Sequence, residues 1–354
     1  MKGNDELGTQ MEASMRRIFV ASVLAVSMMV GGTAVAAVRS EKVIGGPGNQ
    51  YWPTSNGEHV AFTEYRRRVF DIFVSRLGAT ARTRINANDE QAAIGTLMAG
   101  TDQVVFQQFQ RNRSDLYFYD ISSKRRWLVP RPVKSDKWEY YPAGSREFIL
   151  FLRYFGGRND HGELLLYDRV ADDLHVLIGD IGGKTIFPGY AGARYVAWTT
   201  CGGETCSIFY FDSQTDTTTK LPPPNARGRY APAIDEATGA VYFVESSADG
   251  CGRNVALRVA TIDVAGSEAL ATLPRTIDTG WTLGLTPNAD TGFQDLFYQR
   301  YDCRRTTGDV FRFVSVDEPV PPVIATRGRG GRGFGSRPLT MPGAPPSLGG
   351  TGRS

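Results

Sequence analysis

Few residues in this chain have the type and spacing that chemistry requires. The three histidines, His59, His161 and His175, are far apart, and no pattern gathers them. There is no H-E-x-x-H, no G-x-S-x-G and no C-x-x-C pair at zinc spacing. A metal site could be assembled only from carboxylates, so the sequence assigns no catalytic residue, no metal ligand and no cofactor. Two residue types do recur in a pattern. Cysteines stand at Cys201, Cys206, Cys251 and Cys303. Arginines cluster at Arg66, Arg67 and Arg68, at Arg111 and Arg113, at Arg158, at Arg253, and at Arg304 and Arg305. Four thiols suit disulfides in an oxidising compartment, and clustered guanidinium groups suit an anion.

The elements that must position these residues repeat along the chain. Six apolar runs rich in β-branched and aromatic residues begin at His59, Gln103, Glu147, Arg194, Ala240 and Asp295, separated by 44, 44, 47, 46 and 55 residues. Each is followed after a polar turn by a second run: DIFVS, DLYFYD, ELLLYD, SIFYFD, ALRVATID and DVFRFV. A weaker segment that often contains proline precedes the pair, as in YYPAGS, IFPGYA and RYAPAID. A fourth follows it, as in RRWLVP, LHVLIG, TTKLPP and ALATLP. Four strands in about 45 residues is the period of a propeller blade. A single blade cannot bury both faces of its sheet, whereas a ring of blades can. The expected fold is therefore all-β, a propeller of about six four-stranded antiparallel blades. Residues 43–52 or the PVIAT segment at 322–326 would close the ring.

In this register the cysteine and arginine clusters fall into one kind of turn, the one joining the second and third strands of a blade. All such turns emerge on one face, so the arginines form a broken basic ring that could attract an anion. Asp71, Asp115, Asp160 and Asp309 lie close enough in sequence to neutralise it. Cys201 and Cys206 share one hairpin, and Cys251 and Cys303 occupy equivalent turns of adjacent blades. The expected bridges are Cys201–Cys206 and Cys251–Cys303.

The succession of a Pro-Ser turn, an I-x-F strand, a strand ending in Asp and a T-x-L strand resembles TolB-like, or PD40, propeller repeats. The third repeat carries it most clearly, with Pro142, Ser145, Ile149, Phe151 and residues 164–168. The resemblance covers roughly residues 45–320. It implies the propeller fold, and it leaves function open among binding proteins, lyases and peptidase companion domains.

The two ends differ from the repeats. Arg16 and Arg17 precede an apolar stretch at 18–30, and Ala34-Val35-Ala36 follows in the A-x-A pattern, so residues 1–36 read as an export signal. An uncleaved membrane anchor is the alternative; once the signal is cleaved, no transmembrane segment is expected. Residues 325–354 contain five arginines, no acid and mostly Gly, Pro and Ser, the composition of a disordered tail. That leaves residues 37–324, the propeller, close to neutral, which argues against nucleic acid as a partner. The resulting expectation is an exported, monomeric propeller, periplasmic or extracellular. It would act as a binding or scaffold module for a protein or an anionic envelope polymer. The alternative is an enzyme of lyase or hydrolase type working in the central funnel.

Overall fold

The computed structural model describes residues 40–314 apart from 88–89, 111–112, 156–160, 203–204, 222–227, 247–253, 265, 274, 276 and 289–292. The described residues form 24 strands and no helix. Strand β1 (Ser40–Ile44) precedes the first blade. Blade one is β2 (Asn49–Ser55), β3 (His59–Arg66), β4 (Val69–Arg76) and β5 (Arg82–Arg84). Blade two is β6 (Ala92–Leu97), β7 (Gln103–Gln110), β8 (Arg113–Asp120) and β9 (Arg125–Leu128). Blade three is β10 (Trp138–Gly144), β11 (Phe148–Tyr154), β12 (Gly162–Asp168) and β13 (Asp173–Ile178). Blade four is β14 (Thr185–Ala191), β15 (Tyr195–Gly202), β16 (Thr205–Asp212) and β17 (Thr217–Lys220). Blade five is β18 (Gly228–Asp235), β19 (Ala240–Ser246), β20 (Val255–Thr261) and β21 (Glu268–Leu273). Blade six is β22 (Ile277–Pro287), β23 (Gln294–Asp302) and β24 (Thr307–Phe313), with β1 as its fourth strand.

All pairings within the blades are antiparallel, and the six sheets stand in a ring. The pairs of runs read from the sequence are the two central strands of each blade. Closure comes from β1, where Glu41 lies opposite Arg312 and Ser40 opposite Phe313. The closing strand is therefore residues 40–44, which shares only residues 43 and 44 with the segment 43–52 expected to do so. Asn49–Ser55 instead opens blade one, and PVIAT lies outside the described residues.

The core is divided among the seams between blades. Ala61, Ile72 and Val74 of blade one pack on Leu97, Val104 and Phe106 of blade two. Leu116 and Phe118 meet Ile149, Phe151 and Leu165 across the next seam. Val60 and Phe62 meet Phe297 and Val310 where blades one and six adjoin. Both central strands of a blade face neighbours on both sides, so they read as nearly continuous apolar runs.

The inner strands look weak in sequence for a structural reason. Each breaks register with its neighbour at the same level: between Tyr51 and Thr54, Ala93 and Gly95, Tyr140 and Ala143, Pro188 and Tyr190, Tyr230 and Ala233, and Thr279 and Leu283. The bulge residues Trp52, Ile94, Tyr141 and Ala231 have φ of 51°, 51°, 53° and 56°. In three of these strands proline follows directly. A bulge frees the backbone N–H that proline lacks, so Pro is tolerated there and the strand pattern is interrupted.

Candidate ligand-binding rim

Turns joining second to third strands share one rim of the ring, together with the links from each fourth strand to the next inner strand. At this rim β3 and β4 are joined by the two-residue turn Arg67-Arg68, since Arg66 lies opposite Val69. Arg67 and Arg68 have φ of 53° and 67°. Positive φ at both central positions is type I′ geometry, which favours Asn-Gly and strains two arginines. Arg66, Arg67 and Arg68 are exposed, and none forms an ion pair among the described residues. Asp71, the acid expected to neutralise this turn, is engaged by Arg84 Nη2 at 2.7 Å.

Aromatic rings support this turn. Tyr65 and Phe70 lie opposite each other with centroids 4.5 Å apart. Trp52 reaches Phe70 at 6.2 Å and Tyr51 at 5.6 Å. All four are half-buried. Burial pushes the Tyr51 hydroxyl above the usual tyrosine range, a hydrogen bond with Asn49 opposes this, and Tyr301 and Tyr65 add to the rise. Tyr301 belongs to blade six, which brings the turn after β23 alongside that after β3.

That second turn carries exposed Arg304 and Arg305. Asp302 Oδ1 accepts both their backbone N–H groups, at 2.9 and 3.2 Å. These bonds hold the Asp302 carboxyl below the usual range. The Arg305 guanidinium stays loose, 3.9 Å from Asp302 with 82% of its side chain exposed. Asp309 does not neutralise this turn, because it pairs with Lys42 at 2.7 Å. Arg113 is different. Its Nε lies 2.9 Å from Asp115 Oδ2 and donates to Gln110 Oε1 at 3.0 Å. Local neutralisation thus operates in blade two and not in blade one. Arg111, Arg158, Arg253 and Asp160 lie outside the described residues.

Cys201 and Cys206 lie directly opposite each other on β15 and β16 and form a disulfide with Cα atoms 4.0 Å apart. Cys303 is also disulfide-bonded. Cys251 lies outside the described residues, and with it the expected Cys251–Cys303 pairing. The histidines are not gathered: His161 is 3.9 Å from Asp180, His175 is 3.8 Å from Asp173, and both are exposed. Among the described residues no three His, Cys, Asp or Glu side chains form a metal-holding group.

Sequence reasoning missed a buried acid pair behind the rim. Asp115 of blade two and Glu139 of blade three are each only 1% exposed. Burial pushes Glu139 up to about 7, against the pull of Ser135 and Arg153. The available signal was a single acid in the inner-strand segment KWEYYP, at a position that a ring must bury.

Six antiparallel four-stranded blades, sealed by the N-terminal strand, decide the architecture. The fold is that of a TolB-like β-propeller. A solved structure assigned to TolB, from Agrobacterium tumefaciens, superposes with a TM-score of 0.53 at 12% identity, over 76% of this chain and 91% of that one. TolB from Acinetobacter baumannii gives 0.48 at 11% identity, over 77% and 66%. Oligogalacturonate lyase from Vibrio parahaemolyticus gives 0.47 at 9% identity, over 76% and 79%. No family model and no curated protein matches the chain. At these identities the likeness to TolB is one of fold.

Proposed function

We propose that this TolB-like propeller is an exported binding or scaffold module that holds an anionic ligand on the rim formed by blades six and one. The reading rests on the Arg66-Arg67-Arg68 turn. Three exposed guanidinium groups, without a carboxylate partner among the described residues, are held in a strained hairpin beside half-buried aromatic rings. Guanidinium groups match carboxylate, sulfate and phosphate oxygens in pairs. Tyr65, Phe70 and Trp52 add flat apolar surface at the same place. Arg304 and Arg305 extend the positive surface from the adjoining blade. Export is supported by the signal-like pattern of residues 1–36, with Arg16-Arg17, an apolar stretch and an A-x-A site, and by the Cys201–Cys206 disulfide, which suits an oxidising compartment.

The test compares two equal losses of charge. The full chain is titrated with a sulfated oligosaccharide at low salt. Arg67→Ala/Arg68→Ala removes two charges from the rim. Lys124→Ala/Arg125→Ala removes two from the turn after β8, at the opposite end of that strand. The rim variant weakens binding by about ten-fold or more, as expected for two lost charge-assisted contacts, and the control by less than about two-fold. Equal weakening by both variants would reduce the interaction to net charge and overturn the proposal.

A further inference from the structure

We propose that protonation of the buried acids Asp115 and Glu139 strengthens the rim's hold on its anion from the blade-two side. This rests on the binding reading above and adds its regulation. The two side chains come from adjoining blades. Asp115 lies on β8, two residues from Arg113 at the rim. Glu139 lies at the start of β10, where Ser114 Oγ donates to its backbone carbonyl at 2.8 Å. Ser135 Oγ donates to Glu139 Oε1 at 2.5 Å, and Arg153 Nε approaches the same oxygen at 3.5 Å. Asp115 Oδ1 and Glu139 Oε2 are buried and accept no hydrogen bond among the described residues, while Asp115 Oδ2 faces Arg113 Nε at 2.9 Å. Buried oxygens without donors favour the protonated form of one acid.

The groups facing the pair account for the sign of the effect. From β8 come Arg113 and Tyr117, from the link between β9 and β10 come Lys134 and Ser135, and from β11 comes Arg153. Asp136 and Lys137, in the same link, lie 3.5 Å from each other. With both acids ionised, three cations face two anions. Protonation of one acid leaves an additional positive charge behind this sector of the rim and loosens the acidic hold on Arg113. Burial raises Glu139 to about 7 and raises Asp115 as well, although Arg113 and Lys134 oppose the latter shift. An anion outside the rim favours the protonated pair. Its affinity therefore rises as pH falls through about 7, and its binding takes up protons by the same coupling.

His161 sits at the end of the turn between β11 and β12, on the same rim, so His161→Gln is the background for the test. The probe is a sulfated oligosaccharide, whose own charge does not titrate between pH 6 and 8. In this background it binds up to about two-fold tighter at pH 6 than at pH 8, the size expected for one added charge screened across the neighbouring blade. Adding Glu139→Gln makes the affinity flat across that range. Ser135→Ala, at a half-buried loop position, removes a bond that favours the ionised acid and moves the midpoint to higher pH. Dependence that survives Glu139→Gln, or a midpoint unmoved by Ser135→Ala, overturns the linkage and leaves the binding reading intact. No binding at either pH overturns both.

Discussion

Arg67 and Arg68 occupy the two positions of a hairpin turn where Asn-Gly is the favoured pair, and both have positive φ. Residues strained in this way persist where their side chains are wanted. Replacing the pair with asparagine followed by glycine should therefore stabilise the fold while removing two rim charges. The double change Arg67→Asn/Arg68→Gly is expected to raise unfolding free energy by about 1 kcal/mol in urea titration and to weaken anion binding as the alanine pair does. Loss of stability would mean that these arginines serve the turn itself. Glu139 makes the second residue-level prediction. Its pKa is raised in the folded state, so its contribution is fully present below the unfolded value near 4.5 and is lost as pH rises through about 7. Wild-type stability relative to Glu139→Gln should fall by about 3 kcal/mol between pH 4.5 and 8, from the size of that shift. Denaturant midpoints across that range measure it, and parallel curves would contradict it. The two sites differ in legibility. The arginine run stood out in the sequence, but which arginines stay unpaired depended on where Asp71 and Asp309 reach. They reach Arg84 and Lys42. The acid pair was hidden because its members lie on different blades, which only the ring brings side by side.

Strands differ in how clearly sequence announces them. The central pairs were legible because ring packing buries both of their faces, giving runs such as FILFLRY and ELLLYD. Inner strands were blurred by one shared device, the bulge with its left-handed residue and frequent proline. The opening strand of blade one, with Trp52-Pro53, was the least clear for that reason. At this scale the β15–β16 hairpin makes its own prediction. Its disulfide closes a loop with a sequence separation of 5. Cys201→Ser/Cys206→Ser should cost about 2 kcal/mol on the chain-entropy account, seen as a lower denaturant midpoint of the oxidised protein. An unchanged midpoint would show that the strand pairing alone holds this hairpin.

Ring closure belongs to the whole molecule, because it joins strands from opposite ends of the propeller sequence. Arg312 on β24 bonds Glu41 of β1 and, at 3.0 Å, the buried Asp295 of β23. Lys42 and Asp309 add a second clasp at 2.7 Å, and Ser40 meets the Tyr298 hydroxyl at 2.8 Å. Arg312→Ala should lower stability by about 2 kcal/mol in urea titration, since it removes a charge-assisted partner from buried Asp295 and from Glu41. Closure by the chain's beginning was foreseeable only in outline. Residues 40–55 hold two short strands that belong to different blades; Gly45-Gly46-Pro47-Gly48 marks the break between them but not the blade that each joins. Ligand binding at one rim is the function proposed for the whole ring. Hydrogen exchange of the full chain, with and without the sulfated oligosaccharide, tests that claim most directly. Protection confined to residues 65–70 and 302–307 is the predicted result. Protection at 121–124, 169–172 and 213–216, the turns of the opposite rim, with none at the arginine turns, would contradict it.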